Sequence, residues 1–152
     1  RTASFSIMPK HAEKKVLPHS PEHMYALVAD VEKYPEFLPW CVGTRILKRE
    51  ENVVYADLMV GFKMIREVYT SKVILERPGL INVEYQKGPF KYLKNYWKFR
   101  DEGAGCETEF FIDFEFRSRV LRGIIGPFFG DAVNRMVSAF EDRAKVVYNI
   151  DC

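Results

Sequence analysis

The sequence predicts an α+β fold in which a curved antiparallel sheet wraps one long C-terminal helix. Phe129, Val133, Met136, Val137, Phe140, Ala144 and Val147 recur at helical spacing, so the last long segment is an amphipathic helix. From Val42 to Phe116 the apolar period changes to two, in about six runs broken by short turns, and such strands pair antiparallel. Helices segregated from strands indicate α+β architecture.

The elements follow in order. His11 to Leu17 forms a first strand, ended by Pro18. Ser20-Pro21-Glu22 opens a helix, with Ser20 as N-cap and Pro21 at the first helical position. Met24, Leu27, Val28 and Val31 give it an apolar face. It stops before Pro35, and Glu36-Phe37-Leu38 makes at most one further turn before Pro39, giving two short helices after the first strand. Arg45–Glu50 and Val53–Phe62 form a hairpin turning at Glu51-Asn52, with Ala56, Leu58, Val60 and Phe62 on one face. Met64–Glu76 puts Ile65, Tyr69, Val73 and Leu75 on one side and Arg66, Thr70 and Lys72 on the other. Past the turn Arg77-Pro78-Gly79, Ile81, Val83 and Tyr85 point inward. Gly88-Pro89 breaks the chain, and Leu93, Asn95, Trp97 and Phe99 line the next strand. Gly103-Ala104-Gly105 turns into the last one, with Cys106, Thr108, Phe110, Ile112, Phe114 and Phe116 aligned. The final helix exposes Asp131, Arg135, Ser138, Asp142, Lys145 and Asn149, and Glu141 and Lys145 stand at the i,i+4 offset of an ion pair.

The 152 residues suit one domain, expected over 9–149. Residues 1–8 are set aside as an N-terminal extension, because Arg1 to Ile7 precede a usable start at Met8. A net charge of +2 supplies no global field for nucleic acid, and DNA is not an expected partner. Cys41, Cys106 and Cys152 are odd in number and widely spaced, which fits neither a disulfide framework nor a zinc site and points to a reducing compartment. The longest mainly apolar tract, Val120 to Val133, is too short to span a bilayer. Aromatic residues reach 14%, a surplus consistent with a lined cavity or with an aromatic core.

Catalytic motifs are absent. Gly103-Ala104-Gly105 lacks the rest of a phosphate loop, and no G-x-S-x-G elbow occurs. His11, His19 and His23 are expected to be solvated, with no metal bound. Glu67 shares the register of Ile65, Tyr69 and Val73; it faces a cavity or sits at the sheet rim paired with a cation. Asp57 and Asp113 fall on the outer face and are expected to be solvated. Ile124, Ile125 and Phe128, set among Gly123, Gly126, Pro127 and Gly130 and near Arg117, Arg119 and Arg122, form either a lid or membrane-touching edge, or a kinked start of the last helix.

Tyr34-Pro35-Glu36-Phe37-Leu38-Pro39-Trp40-Cys41, together with Met136-Val137-Ser138-Ala139-Phe140-Glu141-Asp142-Arg143-Ala144, resembles the coenzyme Q-binding proteins of the START-like (polyketide cyclase/dehydrase) superfamily. Thr44 stands where many relatives carry Ser. The resemblance implies a helix-grip fold with a deep apolar cavity and a ubiquinone-like polyprenyl quinone as ligand, with no other cofactor. It also implies a nonenzymatic role in respiration, in the cytoplasm or peripheral on the inner membrane, on the matrix side in a mitochondrion. A polyprenyl tail needs an apolar channel, and a quinone ring needs flat surfaces and a few donors. The expected sheet wall is Leu58, Val60, Tyr69, Val83, Tyr85, Trp97, Phe99, Phe110 and Phe114, with Phe129, Val133 and Met136 from the helix. Phe37, Leu38 and Trp40 would guard one mouth; for each residue the alternative is core packing. A bacterial relative is described as a ribosome-association toxin, so the large ribosomal subunit is the rival partner, approached through Lys10, Lys14, Lys15, Lys48, Lys91, Lys94 and Lys98. A cyclase or dehydrase using Glu67 and Tyr69 ranks last.

Overall fold

The computed structural model describes residues 10–103 and 105–148. The extension at 1–8, the expected limits at 9 and 149, Ala104 and Cys152 lie outside the described residues, as does the Lys10 side chain. Seven strands form one sheet: β1 (Lys10–Leu17), β2 (Cys41–Arg49), β3 (Val53–Phe62), β4 (Ile65–Glu76), β5 (Leu80–Lys87), β6 (Phe90–Asp101) and β7 (Cys106–Phe116). Their order is β1-β7-β6-β5-β4-β3-β2, with every neighbouring pair antiparallel. The helices are α1 (Pro21–Ala29), α2 (Arg119–Ile125) and α3 (Phe129–Tyr148), with 3-10 turns at Val31–Glu36 and Gly126–Phe128. This is the expected helix-grip arrangement. Among the described residues, no helix is long and apolar enough to cross a membrane.

Ser20 caps α1, its Oγ accepting from the His23 amide at 3.1 Å. Ser20→Ala removes that bond, and we expect a loss of about 1 kcal/mol, read as a lower urea midpoint at unchanged slope.

The first helix stops before Pro35 as expected, but the further turn lies at Val31–Glu36 rather than at Glu36-Phe37-Leu38. α1 closes at Ala29, and Pro35 sits inside the 3-10 turn. The turn is joined to its flanks by bonds from the amides of Lys33, Phe37 and Leu38, none of which is the amide that proline lacks. β2 likewise begins at Cys41, ahead of the expected Arg45, because Cys41 already pairs with Val60 and the Gly61 amide donates to the Trp40 carbonyl at 2.8 Å.

Buried side chains form two clusters. The larger joins Met24, Val28, Val73, Ile81, Trp97 and Phe110 to Val133, Val137, Phe140 and Ala144 of α3. The smaller contains Phe90, Leu93, Phe114 and Phe116, covered by Leu121 and Ile125 of α2. Ile112 and Phe129 touch both clusters without being fully buried.

Several polar expectations are corrected by long-range contacts. Glu141 bonds Lys15 of β1 at 3.2 Å rather than Lys145, while Arg135 and Asp131 form the helical pair at 2.9 Å. His19 is 3% exposed, against the solvated state expected; α3 brings Tyr148 against its ring, and burial lowers its pKa from the ordinary histidine value. His23 is exposed and stacks on Tyr148. Asp57 and Asp113 lie on the outer face but are half-buried, because each accepts a bond, from Thr70 at 2.6 Å and Tyr92 at 3.1 Å. Val147, placed on the apolar face by spacing, is exposed.

Candidate functional site

Between the two clusters the sheet and α3 enclose a cavity of about 240 Å³. Its position follows from α3. Along the helix Val133, Val137, Phe140 and Ala144 are buried, whereas Phe129, Ala132 and Met136 near its start are only partly buried and, with Val133 and Phe140, roof the void. At about 24 cal/mol per Å³, leaving 240 Å³ unfilled forfeits about 6 kcal/mol of packing.

Twelve of the fifteen residues expected to bind a ligand border this cavity: Leu38, Trp40, Leu58, Val60, Tyr69, Val83, Trp97, Phe110, Phe114, Phe129, Val133 and Met136. Phe37, Tyr85 and Phe99 are placed elsewhere. Phe37 packs edge-on against Tyr34 and Phe140, with the Arg143 guanidinium 5.0 Å from its ring. The Tyr85 hydroxyl accepts from the Phe90 amide at 3.0 Å. Phe99 is 4% exposed, held by Tyr25 and Trp97. Of the lid candidates, Ile125 borders the cavity, while Ile124 and Phe128 are exposed.

At one end of the cavity Trp40 joins a row of aromatic rings. Trp40 stacks on Phe62 at 4.3 Å, and Phe62 meets Phe128 at 5.3 Å. Trp40 has φ +74°, a left-handed backbone that costs a bulky residue on the order of 1–3 kcal/mol and is tolerated where the surroundings enforce it. Outside these rings Lys63 lies over Phe62 and Phe128, and Met64 at the tip of the β3–β4 turn is 95% exposed. α2 has no fully buried residue. It is tied down by Arg122, which donates to Glu115 of β7 at 2.8 Å.

The polar lining is sparse. It consists of Tyr34, Cys41, Tyr69, Ser71 and Asn95. The Tyr34 hydroxyl donates to the Val28 carbonyl, and Asn95 Nδ2 donates to the Phe111 carbonyl at 2.8 Å. Glu67 is half-buried at the rim, opposite Val60, but does not border the cavity, and among the described residues no cation pairs with it. Nor do three His, Cys, Asp or Glu side chains converge among them.

Residues 17–141 match the family model of polyketide cyclase / dehydrase and lipid transport proteins. The chain belongs to this family. Within it, the chain is 40% identical over 137 residues to the ribosome association toxin RatA of Rickettsia prowazekii, covering 88% of this chain and 94% of that one. It is 34% identical over 144 residues to the mitochondrial coenzyme Q-binding protein COQ10 homolog B of Xenopus laevis, covering 91% of this chain and 59% of that one. The solution structure of the 18 kDa protein CC1736 from Caulobacter crescentus superposes with a TM-score of 0.75 at 35% identity, covering 93% of this chain and 99% of that one. These matches agree with the resemblance carried by 34–41 and 136–144.

Of the polar lining, sequence reasoning named Tyr69 as a ligand-binding residue but not Tyr34, Cys41, Ser71 or Asn95. Alternation places Ser71 and Asn95 on the inner face, but alternation reports a side and not a missing partner. Tyr34 was read only as part of a motif. Burial pushes the Tyr34 and Tyr69 hydroxyls well above their ordinary value of 10.0, with Tyr69 and Cys41 adding to the effect on Tyr34 and Cys41 to that on Tyr69. Burial also raises the Cys41 thiol. For the tyrosines the sign is fixed: the unfolded chain loses these protons near 10.0 while the folded chain keeps them. Their contribution is therefore full below that pH and is lost as pH rises through the folded values. We expect the urea midpoint to fall above pH 10, and Tyr34→Phe with Tyr69→Phe to reduce that fall.

Proposed function

We propose that this protein binds a polyprenyl quinone of the ubiquinone type in the cavity, without covalent chemistry, and holds it for exchange between a membrane and respiratory enzymes. The observation that carries the reading is the roofed apolar void itself, bordered by both tryptophans of the chain. A volume of 240 Å³ lies just below the range of about 300–1,000 Å³ usual for drug-sized ligands. It takes the ring and the first prenyl units, and the rest of a long tail runs out past Trp40 and Phe62. The coenzyme Q-binding relative supports the same ligand class. The exposed Met64, Ile124 and Phe128, with Lys63 beside them, suit contact with an anionic bilayer. On this reading the protein works peripherally on the cytoplasmic face of the inner membrane, or on the matrix side in a mitochondrion.

Because Trp40 and Trp97 are the chain's two tryptophans and both face the void, intrinsic fluorescence reports occupancy. Titration with a short-tailed ubiquinone is expected to quench emission saturably near one equivalent. Quenching that rises linearly without saturation would contradict the reading.

A second reading has one observation in its favour, the ribosome-association name of the 40% identical relative. The exposed cations it needs are partly neutralised: Lys15 pairs with Glu141, Lys48 with Glu50 and Lys91 with Glu115. Cosedimentation with large ribosomal subunits that weakens steeply with salt would favour it.

A further inference from the structure

We infer that Ser71 and Tyr69 form a polar subsite that receives an oxygen of the ligand, so that the cavity selects an oxygen-bearing ring over a plain hydrocarbon. The inference rests on the quinone-binding reading and adds to it the group that is recognised and the residues that recognise it.

Ser71 is 1% exposed and borders the cavity, yet its Oγ has no hydrogen-bond partner. A buried hydroxyl without a partner is destabilising, and a serine among Val73, Ile81 and Val83 has no packing advantage over alanine. Its neighbours leave it unsatisfied for a structural reason. Ser71 pairs with Tyr85 on β5, whose hydroxyl is already engaged by the Phe90 amide. The register slips at that point, since Thr70 pairs with Lys87 and Gln86 is passed over; irregularities of this kind bend a sheet beside a site.

Tyr69 stands two residues earlier on the same face of β4, about 6.8 Å along the strand. Its ring is held edge-on by Phe90 at 5.4 Å, and the backbone at Gly88 runs close to its Cβ. A Cβ at Gly88, where φ is +147°, would lie 2.6 Å from Tyr69 Cβ. Among the described residues its hydroxyl makes no hydrogen bond. Two hydroxyls, both able to donate, thus border one mostly apolar void, while the Tyr34 hydroxyl and the Asn95 amide there already donate to backbone carbonyls. A carbonyl or ether oxygen that reaches Ser71 accepts from it and removes the cost of leaving it unpaired, and Tyr69 offers a second donor to another polar atom of the same ring.

The test compares two probes, decyl-ubiquinone and dodecylbenzene, an oxygen-free hydrocarbon of similar shape, by equilibrium partitioning quantified by mass spectrometry. Ser71→Ala is expected to weaken decyl-ubiquinone about 5–10-fold and to leave dodecylbenzene unchanged within about twofold. Tyr69→Phe is expected to act in the same direction. The ligand-free Ser71→Ala protein is expected to melt higher than the parent chain, because an unpaired hydroxyl has been removed, which also verifies that it folds. Equal losses for both probes, or no loss for the quinone, would overturn the subsite while leaving quinone binding intact. A parent chain that takes up dodecylbenzene alone, or neither probe, would overturn the quinone reading and the subsite together.

Discussion

Ala132→Trp is expected to abolish quinone uptake in a protein that still folds. Ala132 is half-buried on the cavity-facing side of α3, one turn before Met136 and beside Val133. An indole projected from that position enters a void of 240 Å³ rather than a packed wall. Overpacking a filled core costs about 1–3 kcal/mol, but filling a void recovers lost contacts, so the two effects offset and the melting temperature should move by only a few degrees. Binding behaves differently, because the ring and the new side chain compete for one space. The expected result is more than a tenfold loss of affinity for a short-tailed ubiquinone, with near-parental circular dichroism. Unchanged affinity in this variant would place the ligand outside the cavity.

Phe140→Ala is expected to cost the most stability of any single truncation in α3, about 3–5 kcal/mol. Phe140 is 3% exposed and is the ring on which three others converge: Trp97 at 5.0 Å, Phe37 at 5.2 Å and Tyr34 at 5.5 Å. It thereby fastens α3 to the sheet and to the 3-10 turn at Val31–Glu36. Phe129→Ala removes the same side chain at the start of the helix, where the ring is only partly buried and meets Phe114 at 5.2 Å. That variant should lose markedly less. Equilibrium urea unfolding of the pair checks that α3 is fastened more firmly at Phe140 than at Phe129.

Period-two alternation made the inner faces of β3 to β6 legible, since side is all that alternation has to specify. Leu58, Val60, Tyr69, Val83 and Trp97 are found where it puts them. The helical spacing of Val133, Val137, Phe140 and Ala144 was sufficient for α3, because each of these positions is buried. Distances across the fold were not legible. Phe37, Tyr85 and Phe99 share the apolar pattern of the cavity wall, but tertiary neighbours occupy them, Arg143 in the first case and Tyr25 in the last. The burial of His19 depends on Tyr148, and the Glu141 pairing on Lys15, partners more than one hundred residues away. The unpaired state of Ser71 is equally invisible, because it arises from what β5 withholds.

The central claim is tested most directly by organic extraction of the full-length chain purified from a membrane-containing lysate, followed by mass spectrometry for quinones. A polyprenyl quinone recovered at a substantial fraction of one equivalent, and lost in Ala132→Trp, is the expected result. A protein that carries no quinone and takes none up when it is added would contradict the account and transfer its weight to the large ribosomal subunit.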